Sequence, residues 1–212
     1  MNITKKQFLA VASMSLVAVA GLFGGGAAYA ANKADSVLSQ KITEGVLSTD
    51  IRDASGTVLT KPTFDMSDVV ASTSVQTSTG TLGANDKRIT VDNPGGANNV
   101  WTLALNATTP GTATWSSGSS SYAYNGTAAT GQLTVNPAAG TLTSVIGGST
   151  GISLGSSSAF SGTTPITMIT AAAASADIWN GYVTGIGLSQ SIPAGQATGT
   201  YTIDMTQTVT AS

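Results

Sequence analysis

Residues 100–105, with the sequence Val-Trp-Thr-Leu-Ala-Leu, place a large apolar side chain at every second position. Successive side chains of a β-strand point to opposite faces, so Trp101, Leu103 and Leu105 would share one face and smaller residues the other. One apolar face per strand is typical of an antiparallel sheet that covers a core. The stretch therefore predicts a half-buried strand with Trp101 and Leu103 packed inside the protein.

The same alternation occurs in two later segments, residues 182–188 and residues 201–209, where Gln207 interrupts the apolar face. Each is predicted to form one half-buried strand. Short apolar runs between clusters of Gly, Pro, Asn and Ser predict further strands, because those residues favour turns. With no segment of clear helical period, we expect an all-β, antiparallel β-sandwich in a single domain. The further strands are expected at residues 37–42, 46–51, 69–77, 87–91, 132–135, 142–146 and 166–169.

The start of the chain has the three parts of a secretory signal peptide. Lys5 and Lys6 precede an apolar run over residues 8–23, and a small-residue stretch ends in Ala28-Tyr29-Ala30. We expect cleavage after Ala30, which places the protein outside the cytoplasmic membrane, secreted or at the cell surface. A retained membrane anchor is the alternative, and the shortness of the apolar run counts against it.

Cleavage would divide the chain into a signal peptide (residues 1–30), a polar mature N-terminus (residues 31–36) and a domain (residues 37–212). The leader takes two of the eight basic residues, so the mature chain has six against ten acidic ones and a formal charge of −4. No concentrated basic stretch occurs, which argues against nucleic acid and anionic lipid as partners. A second long apolar run is also missing, so we expect no stable membrane span in the mature protein.

The residue types that most catalytic centres need are scarce. The chain contains no histidine and no cysteine, so a hydrolase would depend on a Ser–Lys pair or on paired carboxylates, and disulfides cannot form. We therefore predict a non-catalytic protein. Carboxylates could still bind calcium, which takes about six to eight oxygen ligands, although solvated turn carboxylates are the favoured interpretation. The acidic residues concerned are Asp50, Asp53, Asp65, Asp68, Asp86 and Asp92.

Aromatic side chains offer flat faces that suit the apolar faces of sugar rings. Trp115 lies among Ser and Gly residues, and Tyr122 and Tyr124 would share one side of a predicted strand. For these three residues, contact with a glycan and packing in the core are both open. For Trp101, whose strand neighbours are leucines, core packing is the favoured interpretation.

Three parts of the chain together form a recognisable pattern. Residues 82–93 combine a Gly- and Asn-containing turn with a strand, and Trp101-Thr102-Leu103 follows them. Residues 192–195 lead into the alternating segment 201–209, and residues 42–48, Ile-Thr-Glu-Gly-Val-Leu-Ser, lie early in the chain. Together these segments resemble the WxL domains of Gram-positive bacteria, where they correspond to the first signature, the C-terminal strand and the opening strand.

The resemblance implies an antiparallel β fold that attaches non-covalently to peptidoglycan or another cell-wall polymer. It also implies that Trp101 and Leu103 belong to the wall-binding signature. One departure is Gln207, which occupies the place of a tryptophan in the family's second signature. The leading hypothesis is therefore a secreted, WxL-like protein that is held at the cell surface by wall polymer.

Two other functions stay open from the sequence. The protein could be a structural subunit of a surface layer or filament that adds a strand to a neighbour's sheet, with the residues after Ala30 as the donated segment. Charged residues make up only 8 % of the chain, which does little to prevent such association. The other possibility is a carbohydrate-binding module for other glycans.

Overall fold

The computed structural model describes residues 34–95 and 100–211, and within them the regular structure is almost entirely β. A short 3₁₀ helix, Pro137–Ala139, is the exception in these ranges. The predicted all-β class with antiparallel sheets is confirmed. The strands are β1 (Ser48–Arg52), β2 (Gln76–Leu82), β3 (Arg88–Pro94), β4 (Trp101–Ala107), β5 (Trp115–Ser117), β6 (Ser120–Tyr122), β7 (Gln132–Asn136), β8 (Thr141–Ile146), β9 (Ile152–Leu154), β10 (Ser158–Ala159), β11 (Ile166–Ala171), β12 (Ile178–Thr184), β13 (Ile186–Ile192) and β14 (Met205–Ala211).

Most of these strands belong to three four-stranded antiparallel sheets. Sheet I has the order β1-β3-β12-β8, sheet II the order β10-β7-β13-β2, and sheet III the order β14-β4-β11-β9. The remaining pair, β5 and β6, forms a separate hairpin. Neighbouring strands in the three sheets are mostly distant in sequence, so the fold depends on long-range pairing.

One hydrophobic core unites the sheets. Trp101, Leu103 and Leu105 point inward from β4, and none of them is more than 4 % exposed. Trp101 packs on Trp179 of β12 with ring centroids 5.4 Å apart, and Val135 of β7 belongs to the same buried cluster. The inward face predicted for this strand is therefore confirmed. Complete burial of one such side chain contributes about 1.5–3 kcal/mol to the free energy of unfolding.

The segment 182–188 is not one strand, as the alternation predicted, but two. β12 ends at Thr184, Gly185 adopts φ 78°, and β13 begins at Ile186. Glycine tolerates this left-handed conformation because it has no Cβ. The backbone N–H of Gly185 donates to Gly83 O at 2.8 Å, which holds the bend where the chain passes from sheet I to sheet II.

Three other predicted strands were wrong in whole or in part. Residues 37–42 form no strand and are exposed, residues 69–75 form a loop before β2, and residues 201–204 precede β14. A strand needs a hydrogen-bonded neighbour, and an apolar run does not reveal whether the fold supplies one. The remaining predicted strands overlap strands of the structure, with bounds that differ by up to three residues.

The chain divides into two units at Lys41–Ile42, and the strands named above all belong to the second. Within residues 34–95 and 100–211, no helix has the length and apolar character needed to cross a membrane. The predicted signal peptide, residues 1–30, lies outside the described residues.

Candidate functional site

The two residues of the W-x-L pattern lie in the core and not at the surface. Trp101 and Leu103 are 0 % exposed, and their strand, β4, is covered by β14 on one side and β11 on the other. Side chains without exposed surface cannot contact an extracellular polymer, so the wall-contact role implied by the resemblance is corrected to a structural one for these two residues. Their burial confirms the core packing that the alternation favoured.

The fold brings together the segments that carry the WxL resemblance. β14 pairs along its whole length with β4, the strand that contains the W-x-L residues. Gln207 of β14 lies opposite Leu105, and its Nε2 donates to Thr49 Oγ1 at 2.7 Å. Gln207 therefore links sheet III to β1 of sheet I, and its role here is a structural hydrogen bond.

Tyr124 also lies in the core, which corrects its expected position beside Tyr122 on one strand face. β6 ends at Tyr122, and Tyr124 is 0 % exposed. Its ring packs edge-on against Phe160 at a centroid distance of 5.1 Å. Burial raises the pKa of the Tyr124 hydroxyl. Of the three proposed glycan-contact residues, Tyr124 is therefore excluded as a surface contact.

Three partly exposed rings, Trp115, Tyr122 and Tyr201, form what we call the aromatic cluster. Trp115 and Tyr122 face each other across the β5–β6 hairpin, with ring planes 13° apart and centroids 6.2 Å apart. The ring of Tyr201 lies 5.1 Å from that of Tyr122, because a bridge between Ser116 and Thr202 holds the neighbouring backbone in place. The cluster therefore keeps two predicted residues and adds Tyr201, which the alternation had assigned to the inner face of a strand.

A buried glutamine fixes the orientation of Trp115 in the aromatic cluster. Gln190 of β13 is 1 % exposed, and its Oε1 accepts a hydrogen bond of 2.8 Å from Trp115 Nε1. Its Nε2 donates to Ala123 O at 3.3 Å and to Ser191 O at 2.6 Å. Since each polar atom of the Gln190 amide has a partner, the indole of Trp115 is held in one orientation and supports the ring of Tyr122.

A shallow pocket of about 140 Å³ lies beside the aromatic cluster, with Tyr122 and Tyr201 in its wall. The Tyr201 hydroxyl accepts from Gln196 Nε2 at 2.7 Å and donates to Ala197 O at 2.8 Å. Small-molecule pockets usually enclose about 300–1,000 Å³, so this one can hold only part of a larger ligand. The other lining residues are Gln76, residues 69–72, residues 192–193 and residues 196–199.

The pocket is electrically neutral. Its lining contains amide, hydroxyl, aliphatic and aromatic groups, and no Asp, Glu, Lys or Arg. Burial, with a smaller effect from Tyr201, raises the pKa of Tyr122 to about 12. The phenol is therefore protonated at neutral pH and can donate a hydrogen bond. This chemistry suits an uncharged polyhydroxylated ligand better than an ion.

The acidic residues considered for calcium are spread out in the structure. In residues 34–95 and 100–211, no three Asp or Glu side chains come together. Asp53 instead caps its own turn, where its Oδ1 accepts from Ser55 Oγ at 2.6 Å and from the backbone N–H of Thr57 at 2.9 Å. The Ser55 hydroxyl, followed by the Thr57 backbone, lowers the pKa of Asp53.

Residues 147–151 match the G-x-S-x-G pattern of a hydrolase nucleophile. In such enzymes the serine occupies a turn between a strand and a helix. Here Ser149 lies between two strands, β8 and β9, and the chain has no histidine to act as its base. The geometry of Ser149 therefore differs from that of a nucleophile elbow.

Comparisons of this chain with protein-family models, with curated proteins and with solved structures found no match. The WxL resemblance stays a prediction from the sequence. Function is therefore inferred from the geometry of the pocket and its aromatic cluster.

Proposed function

We propose that the protein is a non-catalytic, exported surface protein that binds the glycan of a cell-wall polymer, such as peptidoglycan, through the pocket beside its aromatic cluster. The observation that carries this proposal is the presence of Tyr122 and Tyr201 in the wall of a neutral surface pocket. Attachment would be non-covalent, since the pocket offers ring faces and hydrogen-bonding groups and no charged anchor.

The chemistry of the pocket fits one ring of a polysaccharide. Aromatic faces pack against the C–H faces of sugars, while Gln76, Ser72 and the protonated Tyr122 hydroxyl offer hydrogen bonds to sugar hydroxyls. A phosphate-rich wall polymer would require cationic side chains, and none lines the pocket. We therefore place the contact on the glycan part of the wall.

Two features of the sequence support the same location and partner. The predicted signal peptide would export the domain, and the WxL resemblance implies wall attachment. Trp101 and Leu103 would then contribute indirectly, because β4 supports β14 and the segment that leads into it from Tyr201.

The proposal is tested by measuring how much exported, purified protein sediments with isolated peptidoglycan sacculi. Tyr122→Ala and Tyr201→Ala should each weaken binding about two- to tenfold, because an aromatic contact contributes about 0.5–1.5 kcal/mol beyond buried area. Tyr182→Ala is the matched control, since that tyrosine lies in sheet I, where Arg88 packs over its ring at 4.5 Å. Circular dichroism of each variant checks that the fold is retained.

Equal binding by the wild type and both pocket variants would refute the pocket as the contact site. Failure of the wild type to sediment with sacculi would refute the wall as the partner. A glycan array then tests the alternative, a module for other glycans, which predicts binding to soluble oligosaccharides that Tyr122→Ala abolishes.

A further inference from the structure

β8 is an open edge of sheet I. Its neighbour is β12, and on its other side no strand lies next to it in the described residues. The sequence of β8, Thr-Leu-Thr-Ser-Val-Ile, contains neither charge nor proline, the usual residues that prevent pairing at an edge. A bulge at Val145 interrupts its pairing with β12, which leaves residues 141–144 as a regular stretch.

Two of the other long edges of the sheets are covered by backbone hydrogen bonds. The backbone of β1 is capped where Leu59 N–H donates to Ile51 O at 2.8 Å, and that of β2 where Ser67 N–H donates to Thr79 O at 2.6 Å. β14, a third long edge strand, is linked to β1 by a side-chain hydrogen bond from Gln207, and its exposed residues are threonines and one alanine, whereas β8 exposes Val145 and Ile146. The remaining edge strands, β9 and β10, have only three and two residues.

Exposed apolar side chains mark the open end of this edge. Val145 and Ile146 of β8 are 62 % and 56 % exposed, and Ile178 of β12 is 58 % exposed. Ile146 pairs with Asn180, so Ile146 and Ile178 are diagonal neighbours on one face of the sheet. We call these three residues the edge patch.

A complementary segment lies at the beginning of the described chain. Leu38, Ile42 and Val46 are 96 %, 88 % and 82 % exposed, although all three are large and apolar. They are spaced by four residues, so in an extended chain they fall on a single face. Residues 37–44 thus place Leu38 and Ile42 on one face of an extended chain, with Gln40 between them, and form no strand.

The position of this segment favours a second copy over the same chain as its acceptor. Gly45 N–H donates to Pro94 O at 2.9 Å, which fixes the end of the segment next to β3 on the β1 side of sheet I. β8 forms the opposite edge of the sheet. It lies three strand spacings from β1, which is about 14 Å at roughly 4.8 Å per spacing. A donor that begins at Gly45, beside the edge opposite β8, makes a head-to-tail contact, which gives an open chain of copies where the rotation between them does not close a ring.

We propose that residues 37–44 of one copy pair as an added strand with β8 of the next, with Leu38 and Ile42 covering the edge patch. The partner is therefore a second copy of this protein, and the product is a linear assembly. Main-chain hydrogen bonds to β8 would provide the affinity, and the apolar contacts would set the register.

The test compares a donor variant, Leu38→Asp with Ile42→Asp, and an acceptor variant, Val145→Lys with Ile146→Lys, by sedimentation velocity of the exported protein. Wild-type protein should form species that grow with concentration, and each variant alone should remain monomeric. Val58→Lys is the control, because Val58 is 51 % exposed and bridges to Arg52 of β1, at the edge of sheet I opposite β8. This variant should assemble like the wild type.

Mixing the two variants gives the decisive result. The donor variant keeps an intact β8 and the acceptor variant keeps an intact segment, so the mixture should form one-to-one dimers and nothing larger. A monomeric wild type at high concentration, assembly by either variant alone, or a mixture without dimers would overturn the proposal.

The chain has no cysteine, so an independent check uses introduced ones. Protein with Ile42→Cys mixed with protein with Val145→Cys should give a disulfide-linked pair under oxidation. In the control, protein with Ile42→Cys is mixed with protein with Val58→Cys, and this mixture should not give the disulfide-linked pair. Equal yields of the pair from the two mixtures would count against the proposed contact.

Discussion

Trp101 and Trp179 differ in one respect that makes a sharp prediction. Both are 0 % exposed and their rings pack against each other. Trp179 Nε1 donates to Ser144 Oγ at 3.0 Å, whereas Trp101 Nε1 is buried without a hydrogen-bond partner in the described part of the chain. We predict that Trp101→Phe destabilises the protein less than Trp179→Phe does.

The magnitude follows from the two indole N–H groups, because both substitutions remove a similar part of the same ring pair. Removing a buried donor without a partner relieves a penalty of about 1–3 kcal/mol, and removing a paired donor loses about 0.5–1.5 kcal/mol. The free energies of unfolding of the two variants should therefore differ by about 1.5–4.5 kcal/mol. With a denaturant dependence of about 2 kcal/mol per molar urea, the midpoints should differ by roughly 1–2 M.

Urea unfolding followed by far-ultraviolet circular dichroism measures this difference without using tryptophan fluorescence, which the substitutions alter. Each curve needs the same slope, since a changed slope would mean a changed denatured state. A midpoint for Trp101→Phe equal to or below that of Trp179→Phe would refute the assignment of an unpaired indole to Trp101.

Three further substitutions test other contacts. Gly181→Ala should lower the free energy of unfolding by about 1–3 kcal/mol, measured by thermal unfolding, because a Cβ there would meet the ring of Trp179 and Thr143 O. Gly187→Ala is the control and should be tolerated, because a Cβ at that position makes only ordinary contacts. The pKa of Tyr122 is 10.0 in the unfolded chain and about 12 in the folded protein. The unfolded chain therefore releases its proton first, and the free energy of unfolding falls as the pH rises from 10 to about 12. Tyr122→Phe should reduce that alkaline loss, measured as the shift in urea midpoint from about pH 9 to about pH 11. Gln207→Ala should lower the free energy of unfolding by about 0.5–1.5 kcal/mol, because the hydrogen bond to Thr49 is lost. Thr208→Ala, at an exposed position of the same strand, is the control.

The sequence predicted those features of the fold that depend on local pattern. Alternation over residues 100–105 identified an inner strand and its buried face, since a strand repeats every two residues whatever its partners are. Short apolar runs between turn residues placed residues 132–135 and 166–169 in strands, and alternation assigned Trp101 to the core. The all-β fold class and the core position of Trp101 could thus be predicted from the sequence alone.

Features that depend on partners distant in sequence were not accessible. Alternation continues from Tyr182 to Leu188 without a break, whereas the bend at Gly185, with its positive φ, is held by a hydrogen bond to the distant Gly83. Alternation assigned Tyr201 to a buried face. No local feature of the sequence indicates that its ring will lie 5.1 Å from that of Tyr122. The pocket therefore joins residues that the sequence keeps about 80 positions apart.

The pocket and the free edge of β8 share no residue, and this separation connects the two proposals. Pocket residues come from β2, β6, β13 and adjacent loops, whereas β8 belongs to sheet I. A copy that receives a donor on β8 therefore keeps its pocket free, and a linear assembly presents one pocket per copy. Linked weak sites hold a polymer more tightly than one site does, because each contact after the first is intramolecular. Assembly and wall binding, which the sequence presents as rival functions, would then reinforce each other. Loss of assembly through Val145→Lys with Ile146→Lys should weaken retention on sacculi and leave the affinity for a short soluble glycan fragment unchanged.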